Sequence, residues 1–327
     1  MRESLLPLLC CPRTRSPLRL ESPARLGPGG EIVEGALRSA DGLTYPITHG
    51  IPDFSRGYRS ADEQHTVEAF GDEWARYDDF AGYMGSAELF TEFTGLTAAD
   101  VRGRTVLEVG CGGGRWLRVL AGLGAAQVVG LDFSSAVTQA QRRCADLDNV
   151  HVVRGSALEM PFQPVFDLVV SIGVIHHLDD PVLGLRGIAQ VLRPDHVVAM
   201  WVYAREGNEL YLKLVRPLRW VGPRLPPVVL GAGSRVLALG LFSYIHSVNR
   251  LAGHLGVPLP LRQYLSMLSR LRFRDLTSVV HDQLTPTIAR YATRADVTGW
   301  IAAAGGRITR LHHRTGNSWQ CHLDFRR

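Results

Sequence analysis

Residues 104–114 read Arg-Thr-Val-Leu-Glu-Val-Gly-Cys-Gly-Gly-Gly, and the reading of this stretch decides the fold. Thr105 to Val109 is a short apolar run, long enough for one buried strand, with an acidic residue, Glu108, near its end. Gly110, Gly112 and Gly114 follow at alternate positions. The next segment, Arg115 to Leu123, predicts a helix with Trp116, Leu117, Leu120 and Leu123 on one side. Strand, glycine turn and helix form the first crossover unit of a doubly wound α/β sheet, where ligands bind at the carboxyl ends of the strands. Glycine suits that turn because the main chain needs unusual angles there and a ligand must come close to it.

A second apolar strand, Gln127 to Leu131, ends at Asp132, 24 positions after Glu108. An acidic residue there is placed to accept hydrogen bonds from the two hydroxyls of a ribose. Two cofactor classes suit such a unit. A dinucleotide wants G-x-G-x-x-G facing a pyrophosphate, but Arg115 stands where the third glycine would be. The spacing is instead E-x-G-x-G-x-G, which resembles motif I of the class I S-adenosylmethionine-dependent methyltransferases, type 11/25-like.

The resemblance continues over about 100 residues. Val150 to Ala157 resembles the third strand and adenine-contacting loop of that family, with Ser156 in place of the usual acid. Met160-Pro161-Phe162 and Phe166 to Ser171 match the passage into the fourth strand. Ser171 to Leu178, with His176 and His177, matches the loop after it, and Leu192-Arg193-Pro194-Asp195 the turn before strand five. The resemblance implies a Rossmann-like seven-stranded sheet, order 3-2-1-4-5-7-6 with strand 7 antiparallel. It implies S-adenosylmethionine as cofactor and S-adenosylhomocysteine as product. The cofactor-binding residues it implies are Tyr77, Glu108, Gly110, Cys111, Gly112, Asp132, Phe133, Ser156, Ala157, Ser171 and His176.

The chain has 327 residues, 46% of them hydrophobic and 20% charged, which is ordinary for a soluble globular protein. That length suits one core domain with additions. The net charge is +5, and Lys213 is the only lysine among its basic residues. Cys10, Cys11, Cys111, Cys144 and Cys321 are scattered, as in a reducing cytoplasm, rather than arranged as a disulfide framework. No signal peptide is expected, because Pro7 and two cysteines interrupt the first apolar run. The most apolar segment, Val228–Ile245, is interrupted by Arg235 and several glycines and serines and is not read as a spanning helix.

Four units follow along the chain. Residues 1–55 resemble the Trm112-like zinc ribbon found fused to bacterial methyltransferases, in Leu8 to Pro12 and Gly42 to Phe54. After Cys11, Pro-Arg-Thr stands where a second ligand would be, and no cysteine precedes Tyr45 in 38–41. Tetrahedral zinc needs about four ligands, so a degenerate ribbon without metal is expected, with His49 in a turn. Residues 56–97 form a helical lid: Val67, Phe70, Trp74 and Tyr77 share one face of a helix over 61–80, with Gly82 and Gly85 after it. That face either packs on the sheet or covers the methionine end of the cofactor. Residues 98–205 and 287–327 make the core. Residues 206–286 form a cap of three or four helices broken by Pro217, Pro223, Pro226, Pro227, Pro258 and Pro260. Arg205 to Asp275 holds eleven basic and three acidic residues. This surplus suits a solvated outer face, a pocket for an acidic substrate, a peripheral membrane patch or a homodimer interface.

A sulfonium methyl is already activated, so the enzyme mainly aligns a nucleophile with it. An oxygen or nitrogen acceptor also needs a base, for which His177 and His281 are the candidates, with Tyr203 lining the pocket. The expected activity is O- or N-methylation of a small molecule in specialised or envelope metabolism. The N/D-P-P-Y/F signature of nucleic-acid amino-methyltransferases is absent after strand four, so no nucleic acid is expected. A non-methylating, cyclase-like enzyme or a cofactor-binding activator protein are the alternatives.

Overall fold

The computed structural model describes residues 1–55, 57–77, 79, 81–257, 259 and 261–326. Expectations that fall on Arg56, Asp78, Phe80, Pro258, Pro260 and Arg327 lie outside the described residues: the start of the lid, the end of its helix, two breaks in the cap and the end of the core.

The chain opens with β1 (Leu18–Leu20), β2 (Arg25–Leu26), β3 (Ile32–Ser39), β4 (Thr44–Thr48) and β5 (Ile51–Pro52), which make an antiparallel five-stranded sheet. Helices α1 (Ala61–Arg76), α2 (Ala87–Thr94) and α3 (Ala98–Val101) lead to the core. The core alternates β6 (Thr105–Val109), α4 (Arg115–Gly122), β7 (Gln127–Asp132), α5 (Val137–Arg143), β8 (Val150–Arg154), β9 (Phe166–Ile172), α6 (Pro181–Gln190) and β10 (Leu192–Tyr203). The cap is α7 (Glu209–Val221), α8 (Pro227–Tyr244), α9 (Arg250–His254), α10 (Arg262–Leu268) and α11 (Phe273–Leu284). Helix α12 (Arg294–Ala303) and the hairpin β11 (Arg307–Arg314) and β12 (Ser318–Asp324) close the chain.

The seven core strands lie in the order β11-β12-β10-β9-β6-β7-β8. Pairing from β10 through β9, β6 and β7 to β8 is parallel, and β12 runs antiparallel to both β10 and β11. Counted from β6, this is the order 3-2-1-4-5-7-6. The central strands are apolar on both sides because both sides are covered. Leu107, Val129 and Val169 point into one buried layer, and Val106, Val128 and Val170 into the other. Thr293 caps α12 through a capping box with Asp296, which fixes where the chain re-enters the core.

The amino-terminal ribbon is not a separate unit. Leu5, Leu9, Ile32, Leu37 and Phe54 share a hydrophobic layer with Leu107, Leu131 and Phe162 of the core. Its backbone is also tied to the core, through Cys10 N to Pro161 O and Phe54 N to Arg154 O. Cys10 and Cys11 are buried, and the Cys11 thiol lies 3.1 Å from the Tyr45 hydroxyl. His49 takes a left-handed φ of 52° in the β4–β5 turn.

Among the described residues the cap is built of α7, α8 continued by α9, α10 and α11. Pro217 lies inside α7 and does not end it. Helix α8 runs through a π-turn at Ile245–Asn249 into α9, so that Val228–His254 is one helix of 27 residues, long and apolar enough to cross a membrane by length and composition. Its Leu230, Ser234, Ala238 and Ile245 are buried, and Leu230 packs with Val215 of α7 and Leu284 of α11.

Candidate active site

The site begins at the turn between β6 and α4. Gly110 and Gly112 have φ of 76° and 50°. A Cβ on Gly110 would stand 2.2 Å from a Val174 methyl, and one on Gly112 would stand 2.7 Å from the Trp74 ring, so side chains are excluded at both. The Asp132 carboxylate accepts the Gly112 N–H at 2.8 Å and the Ser134 N–H and hydroxyl at 2.8 and 2.7 Å. The acid at the end of β7 therefore shapes the glycine turn, and its remaining lone pairs are available to a ligand. Glu108 is buried, and its Oε2 has no hydrogen-bond partner among the described residues. Burial pushes its carboxyl well above the usual range. An unsatisfied buried carboxyl oxygen is costly, and a bound donor would remove that cost.

A cavity of about 270 Å³ adjoins this turn. Gly110, Asp132, Phe133, Ser156 and Ala157 line one end of it. Phe70, Glu73 and Trp74 of α1 cover it, and His177, Trp201 and Tyr203 line the other end. Asp282 and Gln283 of α11 and Tyr264 of α10 roof it. The structure thus brings most of the residues predicted from the core together.

His177 is buried, and its Nδ1 lies 2.5 Å from the Ile288 carbonyl oxygen. A carbonyl only accepts, so Nδ1 carries the proton and Nε2 of the neutral ring keeps a lone pair. Burial lowers the His177 pKa, opposed by the charge of Asp282. The Tyr203 hydroxyl donates to Asp282 Oδ2 at 2.7 Å and accepts from Gln283 Nε2 at 2.7 Å. Gln283 Oε1 in turn accepts from the hydroxyls of Tyr211, at 3.0 Å, and Tyr291, at 2.6 Å. Burial, and then the Asp282 charge, hold Tyr203 protonated far above its ordinary pKa.

Five expectations are corrected. Tyr77 does not line the cavity: α1 ends at Arg76, Tyr77 leaves the helical conformation as its C-cap, and its ring lies against His281, 5.5 Å between centroids. His281 points into the cap, where its Nδ1 meets the Ser234 hydroxyl at 3.2 Å. His176 lies behind the cavity, wedged against His177 and Tyr203 at 4.2 and 4.3 Å between ring centroids. Cys111 and Ser171 are buried and do not line the cavity, and the Cys111 N–H donates to the Leu131 carbonyl.

Three charged groups at the site escaped the sequence reading. Glu73 is buried one position before the aromatic face of α1, and its Oε2 has no partner among the described residues. Burial and then the nearby Asp282 push its carboxyl well above the usual range. Arg115, in the place of the third glycine, lines the cavity, and burial lowers its pKa to about 10 against the pull of Glu108, Asp282 and Glu73. Asp282 was legible only as the neighbour of His281. A charged residue next to an apolar stripe, as Glu73 is, was the one available signal.

Residues 107–200 match the family model described as a methyltransferase domain. This part of the chain is similar to a methyltransferase domain. Over 105 residues the chain is 35% identical to the ubiquinone biosynthesis O-methyltransferase of Neisseria meningitidis serogroup C, covering 31% of this chain and 44% of that protein. Over 112 residues it is 35% identical to the tRNA U34 carboxymethyltransferase of Pseudoalteromonas translucida, covering 33% and 35%. The chain therefore spans less than half the length of these relatives. Among solved structures, magnesium protoporphyrin IX methyltransferase from Synechocystis PCC 6803 with bound S-adenosylhomocysteine aligns with a TM-score of 0.48 and 16% identity, over 80% of this chain and 96% of that one.

S-adenosylmethionine is the cofactor that a methyltransferase domain of this kind takes. The residues here fit it: an unpartnered Glu108 oxygen beside the turn, a turn cleared of side chains, and Arg115 facing the cavity.

Proposed function

We propose that this protein transfers the methyl group of S-adenosylmethionine to a hydroxyl or amine of a small molecule. The observation that carries this reading is the position of His177. It lines a covered cavity beside the glycine turn, and its tautomer is set by the Ile288 carbonyl.

Bound S-adenosylmethionine supplies a methyl group already activated on sulfur. The chain has two tasks left. The first is to align the acceptor, and the aromatic wall of Phe70, Trp201, Tyr203 and Tyr264 suits a flat, apolar one. The second is to remove its proton, which the lone pair on His177 Nε2 can accept. Tyr203, Asp282 and Gln283 stiffen the roof and keep the Asp282 charge near His177, where it favours the imidazolium as it forms. Arg115 and Glu73, which line the cavity, and Glu108, which precedes the glycine turn, suit the amino and carboxylate groups of the cofactor. Closure by α1 and the cap favours a small acceptor over a nucleic acid.

The test is incubation of the protein with S-adenosylmethionine and a panel of phenols and amines, read by mass. A product heavier by one methyl group, with S-adenosylhomocysteine beside it, supports the reading. Altered acceptors without methyl gain would replace it with a cyclase-like activity.

A further inference from the structure

We propose that the outward side of the cap docks on a bilayer that carries anionic lipids. Leu210 to Phe273 contains nine arginines and lysines and not one aspartate or glutamate, a surplus larger than the +5 of the whole chain. The same segment also exposes several large apolar side chains. Leu214, Val228 and Val236 are 69%, 82% and 70% exposed, and Trp220, Leu239 and Leu251 are exposed with them. Exposed apolar side chains with a basic surplus are what an interfacial helix presents to anionic headgroups and the upper acyl chains.

The packing of the long helix favours lying in the interface over crossing it. Its Leu230, Ser234, Ala238 and Ile245 side is committed to the protein, and Ser234 bonds to His281 of α11. Only 28% of its apolar stretch is buried, and Val228, Val229, Val236, Leu237 and Leu239 are exposed. The charges nearby are also unanswered. The cap's ion pairs are made by Arg270, Arg272 and Arg274, with Glu88, Glu92, Asp79 and Asp275. Among the described residues, Lys213, Arg216, Arg235 and Arg250 have no carboxylate partner.

A cleft at the end of α7 points the same way. It is lined by His65, Arg219, Trp220 and Arg224, and the Arg224 guanidinium lies 4.6 Å from the Trp220 ring. Cations beside an exposed tryptophan suit the headgroup layer. A two-fold interface between copies would instead set two acid-free basic surfaces against each other, which charge repulsion opposes.

The test is co-sedimentation of the full chain with vesicles of phosphatidylcholine alone and of phosphatidylcholine mixed with phosphatidylglycerol. It needs no methyl transfer, so its failure leaves the proposed reaction standing. The expected result is at least tenfold stronger binding to the mixed vesicles, lost when the ionic strength is raised several-fold. Lys213→Glu with Arg216→Glu, and separately Val228→Asp with Val236→Asp, are expected to weaken binding at least tenfold with an unchanged circular dichroism spectrum. The contrast of lipid and salt on the unaltered protein stands even if a variant misfolds. Equal binding to both vesicles, or to neither, overturns the proposal. So does a dimer in light scattering that Val228→Asp with Val236→Asp dissolves.

Discussion

Asp282 and Val236 sit on neighbouring helices of the cap, α11 and α8, and face opposite surroundings. Asp282 looks into the cavity and is held by Tyr203 and Gln283, while Val236 is exposed. Seen from the cavity the cap is a hydrogen-bonded roof of tyrosines, a glutamine and an acid; from outside it is apolar and basic. The whole-segment charge count averages these two faces, which is why composition alone left its role open. The difference teaches that the chemistry of the cap is assigned by helix face, and each face makes its own predictions.

The largest effect is expected on the inner face, at the base. His177→Ala should lower turnover by about 10²- to 10⁴-fold while binding of S-adenosylhomocysteine is unchanged. Single-turnover rates and calorimetry on one preparation separate the two, and a variant within a few-fold of the parent would remove His177 from the chemistry. The lowered pKa of His177 also has a consequence. The ring stays neutral below its ordinary value of 6.5, so the acid limb of turnover against pH should lie below 6.5. A limb above 6.5 would contradict the assignment.

Next comes the roof itself. Tyr203→Phe removes a donor to Asp282 and an acceptor for Gln283, both half-buried. A loss of about 1–3 kcal/mol is expected in urea unfolding. No loss would mean that the network does not hold the cap.

Glu73→Gln should raise stability, by about 1 kcal/mol at neutral pH. The native pKa of Glu73 is raised, so its contribution is fully present below about pH 4.5 and is lost as pH rises through the native value. The amide does not suffer that loss, so the gain should appear at pH 8 and vanish at pH 4. An equal gain at both would locate the effect elsewhere.

The smallest effect belongs to the outer face. Val236→Ser should change unfolding stability by less than about 0.5 kcal/mol, because the side chain is exposed. A loss of several times that would show that this face is buried in solution.

The core was legible because its signals are local. The apolar runs of β6, β7, β9 and β10 bracket the glycine turn, and Asp132 ends the second of them. Helix α1 was legible in phase but not in length. Phe70 and Trp74 line the cavity as one face, yet the chain leaves the helix at Tyr77 and turns that ring into the cap. His281 and Asp282 show the same limit. Adjacent helical residues point about 100° apart, and the face that met the cavity depended on how α11 packs on α8. The ribbon was read as a separate module because its sequence is distinct, but Leu9, Leu37 and Phe54 complete the core's own hydrophobic layer. Tertiary packing decided each of these cases.

The most direct measurement is calorimetric titration of the full chain with S-adenosylmethionine and S-adenosylhomocysteine, beside Asp132→Ala. The account predicts micromolar binding of both, and its loss in the variant, because Asp132 holds the Gly112 and Ser134 amides and faces the cavity. Absence of heat with either compound, from a protein whose circular dichroism shows the fold intact, would contradict it.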